Sequence, residues 1–118
     1  MAREIWQPTT PSVDESGMSG LLRANPVVVV HFWVGWNAQD RAMDETLRHV
    51  RPDFTGRVAF RAMDTEAPGN WTFALGAGVT NWPAVACWVR GRRIGTLIGL
   101  RSRGELREWI EKQVASLS

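Results

Sequence analysis

The side chains of this chain that could carry chemistry are few, and a lone thiol is the most reactive of them. Cys87 is the only cysteine among 118 residues, so no intramolecular disulfide can form. It stands between Ala86 and Trp88 in an apolar stretch, away from any predicted helix start that would lower its pKa. The pattern predicts a buried and unreactive thiol. The sequence contains no glycine-rich phosphate loop, serine nucleophile elbow or paired metal-ligand motif.

The two histidines are the next candidates, as proton carriers or metal ligands. His31 lies inside the apolar run at residues 27–33, and His49 lies on the helix predicted to follow it. Neither is accompanied by the set of further ligands that a metal site requires. The spacing favours a hydrogen-bonded, mostly neutral core histidine at position 31, and it predicts no metal site and no cofactor.

Asn37 and Asp40 stand where the apolar run gives way to a helical pattern, in the segment Trp36-Asn37-Ala38-Gln39-Asp40. Asn37 is a typical helix N-cap. Asp40, at the N3 position, would place its carboxylate near exposed amides and the positive end of the helix dipole. Apolar residues then follow at helical spacing until a proline ends the pattern. The segment is therefore predicted to begin an amphipathic helix.

Composition is typical of a globular protein with a packed core. Hydrophobic residues make up 44% and charged residues 22% of a length that suits one domain. No apolar run approaches the roughly 18 residues that a membrane-spanning helix needs, and the N-terminus shows no apolar signal region. We therefore expect a soluble cytoplasmic protein. The net charge of +2 is only a weak indication of acidic partners.

Hydrophobic periodicity predicts alternating strands and helices. Residues 27–33 are apolar on both faces, which is typical of a central strand covered by helices. The other predicted elements are a helix at 18–24, a strand at 58–63, a helix at 68–77, strands at 84–89 and 94–98, and a final helix with a capping box at Ser102 and Glu105. Residues 1–20 are predicted to be an extended arm before a domain at 21–118. Trp33, Trp88 and Trp109 are predicted core residues.

Several local strings resemble the thioredoxin family over most of the chain. PVVVVHFWVGW at residues 26–36 resembles the strand that leads into the thioredoxin active-site turn, and GVTNWPA at 78–84 resembles the loop with its cis-proline. VRGR at 89–92 and IGLRS at 98–102 resemble the family's hairpin turn and the turn before its last helix. The resemblance implies an α/β fold, a three-layer α/β/α sandwich with a central mixed sheet of about four strands flanked by helices and a cis-proline loop.

The positions that carry thioredoxin chemistry differ in this chain. Asn37 and Asp40 align with the two active-site cysteines, His31 aligns with the family's buried aspartate, and Phe60 aligns with the lysine beside it. Dithiol exchange needs an attacking thiolate and a second thiol that resolves the mixed disulfide, so no catalytic role carries over to Asn37 or Asp40. If His31 and Asp40 face each other as their family counterparts do, they form a structural pair or at most a pH-sensitive one.

The positions that surround the thioredoxin active-site turn and hold an extended substrate are retained. They are Trp36, Ala38, Trp82, Pro83, Gly99 and Leu100. The resemblance implies that they bind a protein partner or an extended peptide segment, with Trp36 and Trp82 as anchors and Pro83 offering backbone groups for β-type pairing. Trp82 has two possible placements: exposed beside Trp36, or folded inward into the space of the missing cysteines.

The resulting hypothesis is a redox-inactive thioredoxin-like protein that binds non-covalently, as an adaptor, assembly factor or complex subunit, and is not an enzyme. The alternative is a weak thiol-disulfide or glutathione-dependent oxidoreductase that works through Cys87. Exposure of that sulfur would separate the two. A third hypothesis, a nucleic-acid-binding subunit, depends on Arg90, Arg92 and Arg93 and is ranked last, because solvated charges on a hairpin are the commoner explanation.

Overall fold

The strand predicted at residues 27–33 is the centre of the structure, a computed structural model that describes residues 6–117. The helices are α1 (Met18–Ala24), α2 (Ala38–Val50), α3 (Asn70–Gly76) and α4 (Arg103–Ala115), and the strands are β1 (Val27–Trp33), β2 (Ala59–Asp64), β3 (Ala84–Val89) and β4 (Arg92–Ile98). Short 3-10 helices occupy Glu15–Gly17 and Arg51–Phe54. Within residues 6–117, no helix is long and apolar enough to cross a membrane.

The strands form a mixed sheet in the order β2-β1-β3-β4. β2 runs parallel to β1, whereas β3 is antiparallel to both β1 and β4. Every residue of β1 is buried because helices cover both faces of the sheet. Val28 and Phe32 pack towards α1 and α3, whereas Val27 and Val29 pack towards α2 and α4. The three-layer α/β/α sandwich is therefore confirmed.

The predicted elements are present, with small shifts at their ends. α3 is shorter than the predicted 68–77, because Gly69 adopts a left-handed conformation with φ of 85° directly before it. β4 begins at Arg92 instead of residue 94, since positive φ angles at Arg90 and Gly91 reverse the chain tightly. The capping box of α4 is confirmed: the side chain of Ser102 and that of Glu105 each accept a hydrogen bond from the other residue's backbone amide.

The N-terminal arm is attached to the domain at several points of its described part. The carboxylate of Asp44 on α2 accepts hydrogen bonds from the amides and the hydroxyls of Thr9 and Thr10. Ser12 pairs in parallel with the outer edge of β2, and Met18 is buried in the core. Residues 1–5 of the predicted arm lie outside the described residues. The described part of the arm thus packs against the domain.

The tryptophans predicted to lie in the core differ in burial. Trp33 and Trp88 are buried, as predicted. Trp109 is only partly buried, and it packs against the core residues of α2 and α4. Its ring lies against Gly95 of the edge strand β4. Trp6, which the sequence left unassigned, contacts Trp33 edge-on with ring centroids 5.2 Å apart.

Candidate functional site

The candidate site lies where the turn between β1 and α2 meets the loop before β3. Asn37 caps α2, because its side-chain oxygen accepts a hydrogen bond from the amide of Gln39 at 2.9 Å. The Nδ2 atom of Asn37 donates to the carbonyl of Trp82 at 3.3 Å. The peptide bond between Trp82 and Pro83 is cis. Asn37 therefore both begins the helix and joins the two segments of the site.

His31 and Asp40 form a buried pair beneath this turn. The Nε2 atom of His31 lies 2.9 Å from Oδ1 of Asp40, and both side chains are 0% exposed. Oδ2 of Asp40 accepts a hydrogen bond from the amide of Val34 at 3.2 Å. The carboxylate thus turns inward from the first turn of α2, and its hydrogen-bond partners are His31 and Val34. The pair holds the first turn of α2 on β1, and solvent does not reach it.

Trp82 is half-buried and held by a hydrogen bond. Its indole Nε1 donates to the hydroxyl of Thr65 at 3.0 Å, and that hydroxyl donates to the carbonyl of Trp33, also at 3.0 Å. Trp82 is therefore neither fully exposed nor folded into the core. Its ring lies at the surface, and the hydrogen bond to Thr65 fixes its orientation.

Two further tryptophans pack on Trp82 and form what we call the tryptophan patch, Trp36, Trp71 and Trp82. The rings of Trp71 and Trp82 are stacked, with centroids 5.3 Å apart and an interplanar angle of 25°. The ring of Trp36 meets Trp82 edge-on at 6.1 Å. Trp36 is 70% exposed and Trp71 is 41% exposed. The patch therefore presents aromatic surface to solvent beside Asn37.

The other predicted binding residues lie around this patch in different settings. Ala38 is exposed at the first position of α2. Pro83 is buried, and its carbonyl accepts a hydrogen bond from the amide of Gly99 at 2.8 Å. Leu100, directly after Gly99, is exposed. The hydrogen bond between Pro83 and Gly99 brings the turn before α4 to the cis-proline loop.

Trp71 is the site residue that sequence reasoning missed. It lies on α3, which the sequence alone did not orient relative to the cis-proline loop. Leu75 follows one turn later on the same helix and is also exposed. Trp71 and Leu75 are large apolar residues four positions apart on a short helix. This spacing was the sequence signal of an apolar helix face that the core does not cover.

The backbone groups expected to pair with an extended segment are already engaged. The amide of Trp82 donates to Oδ1 of Asn81 at 2.9 Å, and its carbonyl accepts from Asn37. Pro83 has no amide hydrogen, and its carbonyl accepts from Gly99. The β-type pairing predicted at Pro83 therefore has no free amide donor there.

Cys87 lies away from the surface. Its side chain is fully buried on the face of β3 that packs towards α2 and α4. Burial raises the pKa of this thiol to about 12. The prediction of a buried thiol is confirmed. Within residues 6–117, no group of three or more His, Cys, Asp or Glu side chains is placed to hold a metal ion.

The chain is similar in sequence to several thioredoxins. No family model matches the chain. The chain is 28% identical over 107 residues to a chloroplastic M-type thioredoxin of Brassica napus, an alignment that covers 86% of this chain and 57% of that protein. It is 24% identical over 103 residues to thioredoxin C-2 of Corynebacterium nephridii, covering 87% of this chain and 94% of that protein. The chain thus spans little more than half the length of the first of these relatives.

Solved thioredoxin structures share the fold. A mutant thioredoxin from Halobacterium salinarum NRC-1 superposes with a TM-score of 0.79 at 18% identity, over 94% of this chain and 96% of that chain. Mitochondrial thioredoxin 3 from Saccharomyces cerevisiae, in its oxidised form, superposes with a TM-score of 0.76 at 21% identity, over 87% of this chain and 93% of that chain. These likenesses show the thioredoxin fold.

Proposed function

We propose that this chain, which its relatives and its fold identify with the thioredoxin family, binds a protein partner non-covalently and transfers no electrons. Thiol-disulfide exchange of the dithiol type requires two sulfurs that meet at one site. The chain contains one cysteine, and Asn37 and Asp40 stand at the positions that the resemblance aligns with the family's thiols. The protein would act as an adaptor, an assembly factor or a subunit of a complex.

The tryptophan patch is the observation that carries this proposal. Contiguous exposed apolar surface is uncommon on monomeric proteins without a binding role, and tryptophan is among the residues most enriched at binding hot spots. Trp36 and Trp71 both expose their rings and pack on Trp82, which Thr65 holds in place. A surface that is already ordered loses little side-chain freedom on binding, which favours affinity.

The burial of Cys87 weighs against the oxidoreductase alternative. A reactive cysteine needs thiolate character and access to its substrate. Cys87 has a raised pKa and is fully buried in the sheet. A single-thiol mechanism through this residue would require the core to open.

Affinity capture under full reduction tests the proposal. The intact protein would be used as bait beside Trp36→Arg, a substitution at a side chain that is 70% exposed. Ile94→Arg is the matched control, because Ile94 is an exposed apolar residue on β4 outside the patch. We expect a stoichiometric partner that is identified by mass, retained by Ile94→Arg and lost by Trp36→Arg. Equal capture by both variants would refute the site assignment.

A further inference from the structure

We propose that the tryptophan patch recognises an extended, proline-rich segment in the polyproline II conformation, with an arginine or lysine at the end that meets Trp36. This inference rests on the proposed function and names the chemistry of the partner. Three features of the described residues support it: free indole donors, engaged backbone groups and an acidic rim.

The indole donors of the patch are available to a ligand. Among residues 6–117, the Nε1 atoms of Trp36 and Trp71 donate to no protein acceptor, whereas Nε1 of Trp82 donates to Thr65. A polyproline II segment has no internal hydrogen bonds, so its carbonyls need donors. Aromatic grooves bind such segments by packing against proline rings. Trp36 and Trp71 offer both an exposed ring and a free N–H group.

The engaged backbone makes strand addition the less suitable alternative. A β-strand adds to an edge through alternating amide and carbonyl groups of the receptor. Both backbone groups of Trp82 and the carbonyl of Pro83 already bond within the domain. A proline-rich segment, which has few amide hydrogens to pair, does not need them.

Charge is distributed unevenly around the patch. Asp64 and Glu66 flank Thr65, the residue that holds Trp82, and Oε1 of Glu66 accepts from the amide of Gly35 at 3.2 Å, next to Trp36. Within the described part of the chain, neither carboxylate joins an ion pair.

Around Leu100 the charges are mixed, because Arg101 lines one surface depression together with Glu105 and Glu108. Nη1 of Arg101 donates to the carbonyl of Ile98 at 2.9 Å, beside Leu100. Electrostatic complementarity therefore favours a cationic ligand residue at the Trp36 end, where a guanidinium can also lie against an indole ring.

Nitrogen-15 NMR of the tryptophan indole groups tests this directly. The probe is a synthetic peptide of eight prolines with one arginine at its end, titrated into the full chain. We expect the Nε1–H signals of Trp36 and Trp71 to shift more than that of Trp82, whose N–H stays bonded to Thr65. Trp36→Phe and Trp71→Phe, which keep an aromatic ring but remove the donor, should each weaken binding roughly threefold to tenfold. Ile94→Ala should bind like the wild type.

Two further comparisons test whether the charge and the prolines of the peptide are recognised. Glu66→Gln keeps an oxygen for the amide of Gly35 but loses the charge, so it should weaken the arginine peptide roughly twofold to fivefold and leave an uncharged proline peptide unaffected. A peptide with valine in place of every proline should bind more weakly. Equal binding of the valine peptide, or unmoved signals of Trp36 and Trp71, would overturn the inference.

The two proposals can fail separately. If Trp36→Arg loses its captured partner while proline peptides do not bind, the proposed function stands and the ligand chemistry is wrong. If Trp36→Arg retains the partner, the assignment of the binding site to the tryptophan patch is wrong and this inference falls with it.

Discussion

Nε2 of His31 lies 2.9 Å from Oδ1 of Asp40 in a place that solvent does not reach. The resemblance aligns His31 with the buried aspartate of thioredoxins and Asp40 with one of their cysteines. The two side chains are hydrogen-bonded to each other, and Asp40 also accepts a hydrogen bond from the amide of Val34. Two positions that serve thiol chemistry in the family thus stabilise the start of α2 in this chain.

Removing one member of this pair should destabilise the domain. Asp40→Ala leaves the amide of Val34 without an acceptor and His31 without its partner, so we expect the free energy of unfolding to fall by about 1–3 kcal/mol for each group left unpaired. Urea unfolding followed by circular dichroism measures the loss. The double variant His31→Leu and Asp40→Ala should lose less than the sum of the two single variants. Additive losses would show that the residues do not act as a pair.

Asp44 should make stability depend on pH. Burial alone would raise the pKa of this carboxyl, but hydrogen bonds from Thr9 and Thr10 outweigh burial, and the pKa lies below its ordinary value of 3.8. Because the folded pKa is lowered, the charged form stabilises the fold fully above the unfolded pKa of about 3.9. That contribution is lost as the pH falls through the folded value.

Thermal unfolding at a series of pH values checks this prediction. Asp44→Asn should be less stable than the wild type at neutral pH, and the difference should shrink below about pH 4. Glu111→Gln, at an exposed position of α4, is the control and should follow the wild type. A stability difference that stays constant across the pH range would contradict the assigned role of the carboxylate.

Cys87 should react only when the protein unfolds. Because the pKa of this thiol is about 12, its thiolate is scarce at neutral pH. Its side chain is also fully buried. Iodoacetamide should label the urea-unfolded chain rapidly and leave the native chain unlabelled over the same time. Cys87→Ser should leave any reduction of a disulfide peptide unchanged. Rapid labelling of the native chain, together with activity lost in this variant, would support the oxidoreductase alternative.

Thr65 should be required to hold Trp82 in place. Thr65→Val keeps the side-chain shape but removes the acceptor of the Trp82 indole, so we expect a loss of about 1–3 kcal/mol in the free energy of unfolding. Thr65→Ser keeps the hydroxyl and serves as the control. Denaturant unfolding of Thr65→Val, Trp82→Phe and their double variant should show that the second substitution adds little to the first. Fully additive losses would mean that this hydrogen bond contributes nothing.

The sequence alone was sufficient to predict the features that depend on residues close together along the chain. The apolar run of β1, the cap at Asn37 and the capping box of Ser102 and Glu105 are local patterns, and each gives one favourable local structure. The absence of a thiol pair is a matter of composition, so no fold can alter it. These features determined the fold class and limited the chemistry.

Only the tertiary structure decided which distant side chains meet. Trp71 joins Trp82 because α3 packs beside the cis-proline loop, and Asp44 holds Thr9 across 35 positions of the chain. Periodicity shows which face of a helix is apolar, but it does not show which loop that face adjoins. The inward turn of Asp40 likewise depends on His31 in β1. No local pattern encodes long-range packing. That packing therefore forms the tryptophan patch and the contacts that hold it in place.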